Sequence, residues 1–466
     1  RERAGGEGGR WTAVALALVL GALGPLNTWD LPTYLGLAVL ALTWRGLARG
    51  RGWRGLAQGL AVAGAACLLY LPFYQHYAPP PAGLRFLPAH TRVRYVIVVW
   101  GLWLVALYGW LAVRAWRGKD GAGRLWRLVS GPRSGRARAL AGALGWQPSR
   151  VTRLRWVVGL EALLLSAVAL AAGEPMVALS LPAVALAVDL VLRPSARPGE
   201  RLAGLLAATG SLILVGSELF YLADFLQGSE WCRMNTVFKF GIQAWVLVAL
   251  AVAGGLPELA GWLQERPRRG PRLAFGLLLG AVVAVSLAYV PLGTVARVSE
   301  RFPGGPPPRL TLDGLAYMQT GVYHWPDDQH PIELRYDYEA IQWLLGHVRG
   351  TPVIAEAALG YYREGGMRVS SYTGLPTLLG AHQAEQRPAE MVGERAGLVE
   401  QLYGPGELDE TMALLRRLRV QYVYLGQLEK IAYGQAARAK FAALVARGDV
   451  EVAYTNPGVV IYRVRG

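Results

Sequence analysis

Apolar residues along this chain gather in nine runs, at about 11–24, 33–44, 55–75, 94–115, 156–172, 175–192, 202–222, 237–257 and 273–296, divided by short polar segments. Runs of this length with few charges predict membrane helices. The 34 residues from 11 to 44 would make about 51 Å of helix at ~1.5 Å per residue, too long for one crossing of a ~30 Å hydrocarbon core. They read instead as two short or re-entrant helices around a turn at 24–34, "GPLNTWDLPTY". Non-helical backbone at that depth survives only where protein buries it or a wet cavity receives it.

From about 298 the pattern changes, opening with the linker-like "RFPGGPPPRL". Helical periodicity appears in "YEAIQWLLGHV" (338–348) and "QAARAKFAALVARG" (435–448). Strand-like runs appear in "PVIAEA" (352–357), "VQYVYLG" (420–426), "VEVAYT" (450–455) and "VVIYRV" (459–464). The fold class expected is a polytopic α-helical membrane protein of about 8–9 spans or re-entrant helices, residues 1–296, with a carboxyl-terminal extracytoplasmic α/β domain, residues 297–466.

Composition supports the membrane reading: 53% hydrophobic residues and 16 Trp in 466 residues, with a mean hydropathy of +0.27. The net charge of +16 would suit a nucleic-acid partner only if it lay on one soluble face. It lies instead between apolar runs, at 45–55, 193–201, 265–272 and above all 117–155, where ten Arg or Lys meet one Asp. Placing those four segments in the cytoplasm puts 25–32, 76–93, 173–174, 223–236 and the whole tail outside. No nucleic acid is expected; membrane lipid is.

Cys67 and Cys232 make no disulfide framework and are not expected to pair. The chain begins "RERAGGEGGRW", without Met or a signal-peptide pattern, and is expected to be a piece of a longer protein.

The densest chemistry inside an apolar run is "RMNTVFKFGIQAW" at 233–245. Asn235, Lys239 and Gln243 are spaced i, i+4, i+8 and form one polar stripe if the segment is helical. Snorkelling accounts for Lys239 alone. Amides continuing inward are costly unless they meet partners or line a wet cavity. With Arg233 beside it the stripe suits an anion such as a lipid phosphate, while helix-to-helix hydrogen bonding is the structural alternative.

"GSELFYLADF" brings Glu218 and Asp224 to the same boundary, where they either act chemically or staple helix ends by pairing with Arg233 and Lys239. Asn27 and Asp30 of the 24–34 turn serve either chemistry or the turn itself. Loop charge places all of them on one face, so that carboxylates, cations and amides converge there. In the tail, "RVSSYTGLPTLLGAHQAEQRP" (368–388) is the most polar stretch, as a cap over that cavity or an ordinary surface loop. Phosphate-binding glycine loops, zinc-spaced Cys or His pairs and a nucleophile elbow are missing from the sequence.

"LNTWDLPTY", "LPFY" (71–74), "ELFYLAD" through "RMNTVFKFGIQAW", "TGLPTLLG" and "YVYLG" together resemble the YYY-domain family of polytopic membrane proteins, from about residue 20 to the carboxyl terminus. That family looks like the C-type glycosyltransferase superfamily, which takes sugars from polyprenyl phosphates in an extracytoplasmic cavity. The resemblance implies hexosyl or pentosyl transfer from a polyprenyl-phosphate-linked sugar in the cell envelope, at the plasma membrane. Its usual essential carboxylate, in the first outer loop, would lie upstream of Arg1.

The roles implied are then as follows. Asp30, Asp224 or Glu218 is the catalytic carboxylate, acting as acid/base or holding a metal, so a divalent cation is the one cofactor admitted. Arg233, Lys239, Asn235 and Asn27 bind the donor phosphate, and His382, Arg387 and Arg368 bind the acceptor. Where the family tail carries His-Glu-x-Gln-Trp-Arg, this chain has "HQAEQR" at 382–387, without the Glu after His. The rival readings are a transporter or flippase of a lipid-linked sugar, and a non-catalytic scaffold with an outer binding domain.

Overall fold

The computed structural model describes residues 4–77, 83–87, 90–117, 150–193, 195–224, 226, 228–265, 269–302, 310–359, 367–380 and 387–465. It divides into two compact units, Arg1–Ser286 and Leu287–Gly466. The division falls inside a helix that continues to Arg301, whereas the composition changes near 297.

Each of the nine apolar runs becomes a helix. In the first unit these are α1 (Ala4–Leu26), α2 (Asp30–Leu47), α3 (Gly52–Leu69), α5 (Val93–Arg117), α6 (Arg150–Ala171), α7 (Pro175–Leu192), α8 (Pro198–Leu219), α9 (Met234–Gln264) and α10 (Arg269–Arg301), with a short α4 (Leu71–His76) after α3. Among the described residues seven of them, all but α2 and α3, are long and apolar enough to cross a membrane. The chain is therefore a polytopic α-helical membrane protein. The 11–44 stretch does break, but more tightly than the 24–34 turn suggests. α1 runs on through Pro25, and only residues 27–29 separate it from α2.

Short connections join α1 to α2, α2 to α3, α6 to α7 and α7 to α8, as in other bundles. One end of the bundle gathers the α1–α2 turn, the α6–α7 turn, the end of α8 and the start of α9. It is capped by a two-stranded antiparallel ribbon, β1 (Gly83–Phe86) with β2 (Phe220–Ala223), in register Leu84 to Leu222 and Arg85 to Tyr221. The opposite end carries a charged lattice. Asp189 joins Arg155 and Arg193 at 2.5 Å each, and Arg114 holds Glu200 at 2.5 Å and Glu258 at 3.4 Å.

Between the ends, small residues let helices close together. Ala183, Ala187, Ala203, Ala207 and Ala251 are buried around Trp110 and Leu107, where α5, α7, α8 and α9 meet. Gly255 of α9 lies against the Trp110 ring, in space a methyl group would share with the indole.

The second unit is built on a four-stranded sheet in the order β5-β6-β8-β7, from β5 (Val353–Ala355), β6 (Val420–Leu425), β7 (Val450–Thr455) and β8 (Val460–Val464). β5 and β6 are parallel, and β6–β8 and β8–β7 are antiparallel. A small hairpin, β3 (Val322–His324) with β4 (Pro331–Glu333), precedes α11 (Leu334–His347). Helices α12 (Arg368–Thr373), α13 (Ala389–Tyr403), α14 (Leu408–Arg417) and α15 (Gln427–Arg447) complete the unit. Phe441, Leu444, Leu415 and Val423 are fully buried in its core.

Candidate functional site

The ribbon-capped end of the first unit is held by a buried polar staple. Glu218, 4% exposed at the end of α8, accepts from the Thr91 backbone N–H at 2.8 Å and the Thr91 hydroxyl at 2.5 Å. Arg233 donates to Glu218 at 3.3 Å and to the Thr91 hydroxyl at 2.5 Å. Burying this carboxylate is affordable because every oxygen is met. Glu218 and Arg233 therefore tie the α8–β2 segment to the starts of α5 and α9. Thr91, which no motif in the sequence points to, is the residue that closes the tie.

Asp224 is occupied as well. Its carboxylate accepts from Asn235 Nδ2 at 2.6 Å and from the Leu226 backbone N–H at 2.8 Å, fixing the loop that enters α9. Thr236, beside Asn235, accepts the Leu222 N–H at 2.9 Å.

Two turns further along α9, Gln243 donates to the Trp29 carbonyl at 3.2 Å, and the Trp29 and Phe240 rings meet edge to face at 6.3 Å. The stripe read from the sequence is thus real and anchored at both ends: Asn235 on the β2–α9 loop, Gln243 on the α1–α2 turn. Among the described residues the buried Gln243 amide oxygen has no hydrogen-bond partner.

Lys239 lies between those anchors. It is half-buried, its Nζ 5.9 Å from the Phe238 ring centroid, and among the described residues it makes no ion pair or hydrogen bond. The expected pairing of Lys239 with Glu218 or Asp224 is not made, because Arg233 and Asn235 take those carboxylates. Arg233 precedes the first residue of α9 and Lys239 lies in its second turn. Both cations sit where the helix dipole is already positive, so the local field favours an anion.

Asp30, the first residue of α2, is half-buried and accepts from Asn27 Nδ2 at 3.0 Å. That bond leaves most of its acceptor capacity unspent. Asp30 follows Trp29, which α9 holds, so the α1–α2 turn and the Lys239 stretch of α9 border one region.

The tail residues separate. Arg368 is not at a surface: it is 4% exposed and donates to Asp337 at 2.6 Å inside the second unit. Tyr424 donates to the same carboxylate. Burial would push the guanidinium down, but Asp337, Tyr424 and Glu429 around it raise it. Arg387 is exposed just before α13, and His382 lies outside the described residues. Buried Glu356 and Glu429, which the sequence reading missed, follow β5 and β6. Glu356 accepts the Val369 and Ser370 N–H groups at 2.9 Å each, and Glu429 those of Ala357 and Gly426.

A family model described as "Uncharacterized membrane protein (DUF2298)" matches residues 1–248, from the amino end into α9 and across every candidate residue of the first unit. The chain belongs to the DUF2298 family of membrane proteins. No curated protein matches it in sequence. The matched span holds the ribbon-capped end and, except for Glu258, the charged lattice opposite, so the staple, the stripe and the α1–α2 turn are features of a DUF2298 chain.

Proposed function

We propose that this protein transfers a sugar from a polyprenyl phosphate to an acceptor outside the plasma membrane, in the manner of a C-type glycosyltransferase. The observation that carries the reading is Lys239, a cation that makes no ion pair or hydrogen bond among the described residues. It is held between two anchored amides and beside a turn whose carboxylate keeps open acceptor sites. A protein that only stapled its helices would have closed Lys239 onto Glu218 or Asp224.

In this reading the basic segments face the cytoplasm, the ribbon-capped end faces outward, and the second unit is extracytoplasmic. The donor phosphate lies against Lys239 at the start of α9, with its polyprenyl chain in lipid. Asp30, oriented by Asn27, takes the proton of the acceptor hydroxyl as that oxygen bonds to the anomeric carbon. The bond from that carbon to the phosphate breaks, and polyprenyl phosphate leaves with its charge met by Lys239. Glu218, Arg233, Asp224 and Asn235 position the groups without touching the sugar.

Purified Lys239→Met and Arg233→Met variants separate the two roles. Lys239→Met is expected to lose transfer, by about 100-fold or more for a cation on the leaving phosphate, at unchanged thermal stability. Arg233→Met strands buried Glu218 and should cost about 3 kcal/mol of stability. Transfer retained by Lys239→Met would overturn the phosphate role.

A further inference from the structure

The second unit contains a cavity of about 270 Å³ between the Thr377–Gly380 segment, Arg387 and the first two turns of α13. Met391 and Arg395, one helical turn apart, share the α13 face that lines it. Arg387 and Arg395 are both exposed, and among the described residues neither makes an ion pair or hydrogen bond. Glu390 and Glu394 lie on the same helix but do not line the cavity. Thr377 also lines the cavity, and among the described residues its buried hydroxyl has no hydrogen-bond partner.

We propose that this cavity binds the carboxylate or phosphate of an acidic sugar residue. Two guanidinium groups and a hydroxyl on the lining residues supply donors for an oxyanion, and Arg in particular offers paired N–H groups to such oxygens. Met391 and Leu378 supply the apolar face against which a sugar ring would lie. The volume falls just below the ~300–1,000 Å³ of drug-sized ligand sites, which fits one sugar residue better than an extended chain. That the bound sugar belongs to the acceptor rests on the transfer reading above; the anion site itself does not.

The test is calorimetric titration of the full chain in detergent with glucuronate, glucose 6-phosphate, inorganic phosphate and neutral glucose. Glucuronate and glucose 6-phosphate are expected to bind more tightly than inorganic phosphate, and glucose not at all. Arg387→Gln and Arg395→Gln should each weaken both acidic sugars about tenfold, the usual effect of losing one charge-assisted hydrogen bond. Thr377→Val, which keeps all charge, should weaken them several-fold, and Lys239→Met should leave the binding of glucuronate, which carries no phosphate, unchanged. Equal affinity for inorganic phosphate would mean a phosphate site rather than a sugar site and would overturn the assignment. So would unaltered binding in both arginine variants. Loss of transfer in Lys239→Met with sugar binding intact would separate this site from the catalytic one.

Discussion

Glu429 is 3% exposed, and loss of hydration pushes its carboxyl up from 4.5 to about 7, although Arg368 and the backbone N–H of Ala357 pull the other way. Between those two values the folded unit holds a proton that the unfolded chain has released. Stability is therefore fullest below about pH 4.5 and falls as pH rises toward 7. At ~1.4 kcal/mol per unit the loss is about 3 kcal/mol. Glu356, also raised by burial, acts in the same direction. Exchange free energies of the β6 amides, corrected for intrinsic rates, should drop across this window, and Glu429→Gln should flatten the drop. A stability that rises from pH 5 to pH 7.5 would contradict the assignment.

At the level of elements, the bundle depends on close approach more than on shape-filling side chains. Gly255→Ala would drive a methyl into the Trp110 ring, which is 2% exposed, and should cost about 1–3 kcal/mol by overpacking the α5–α9 contact. Thermal unfolding in detergent reads this, and Gly261→Ala, where a methyl meets open space, is the control. The helices themselves were legible because apolar length alone marks them, and β5 to β8 because their strands alternate or run apolar between turns. α13 was not, since Gly393 and Gly397 weaken its helical signal.

The site divides along the same line. Asn235, Lys239 and Gln243 announce themselves by spacing, as a local pattern can. Thr91 lies 127 residues from Glu218, and Asp337 lies 31 from Arg368. Such pairings come from tertiary structure and leave no local mark. That Glu218 meets Thr91 as well as Arg233 could not be read from its neighbours in sequence.

Across the whole molecule, a charge pattern coincides with a place for chemistry. The Asp189 and Glu200 lattice marks one end of the first unit, and the staple, Lys239 and Asp30 mark the other. A membrane protein so polarised has one end suited to an anionic headgroup whose tail stays in lipid. The most direct measurement is cryo-EM of the protein in lipid nanodiscs with a polyprenyl-phosphate sugar. The account predicts the donor phosphate against Lys239, with Asp30 facing the anomeric carbon and Glu218 still held by Thr91 and Arg233. Lys239 closed onto Glu218 or Asp224 in a dry, filled bundle, with no headgroup density beside the α1–α2 turn, would contradict it.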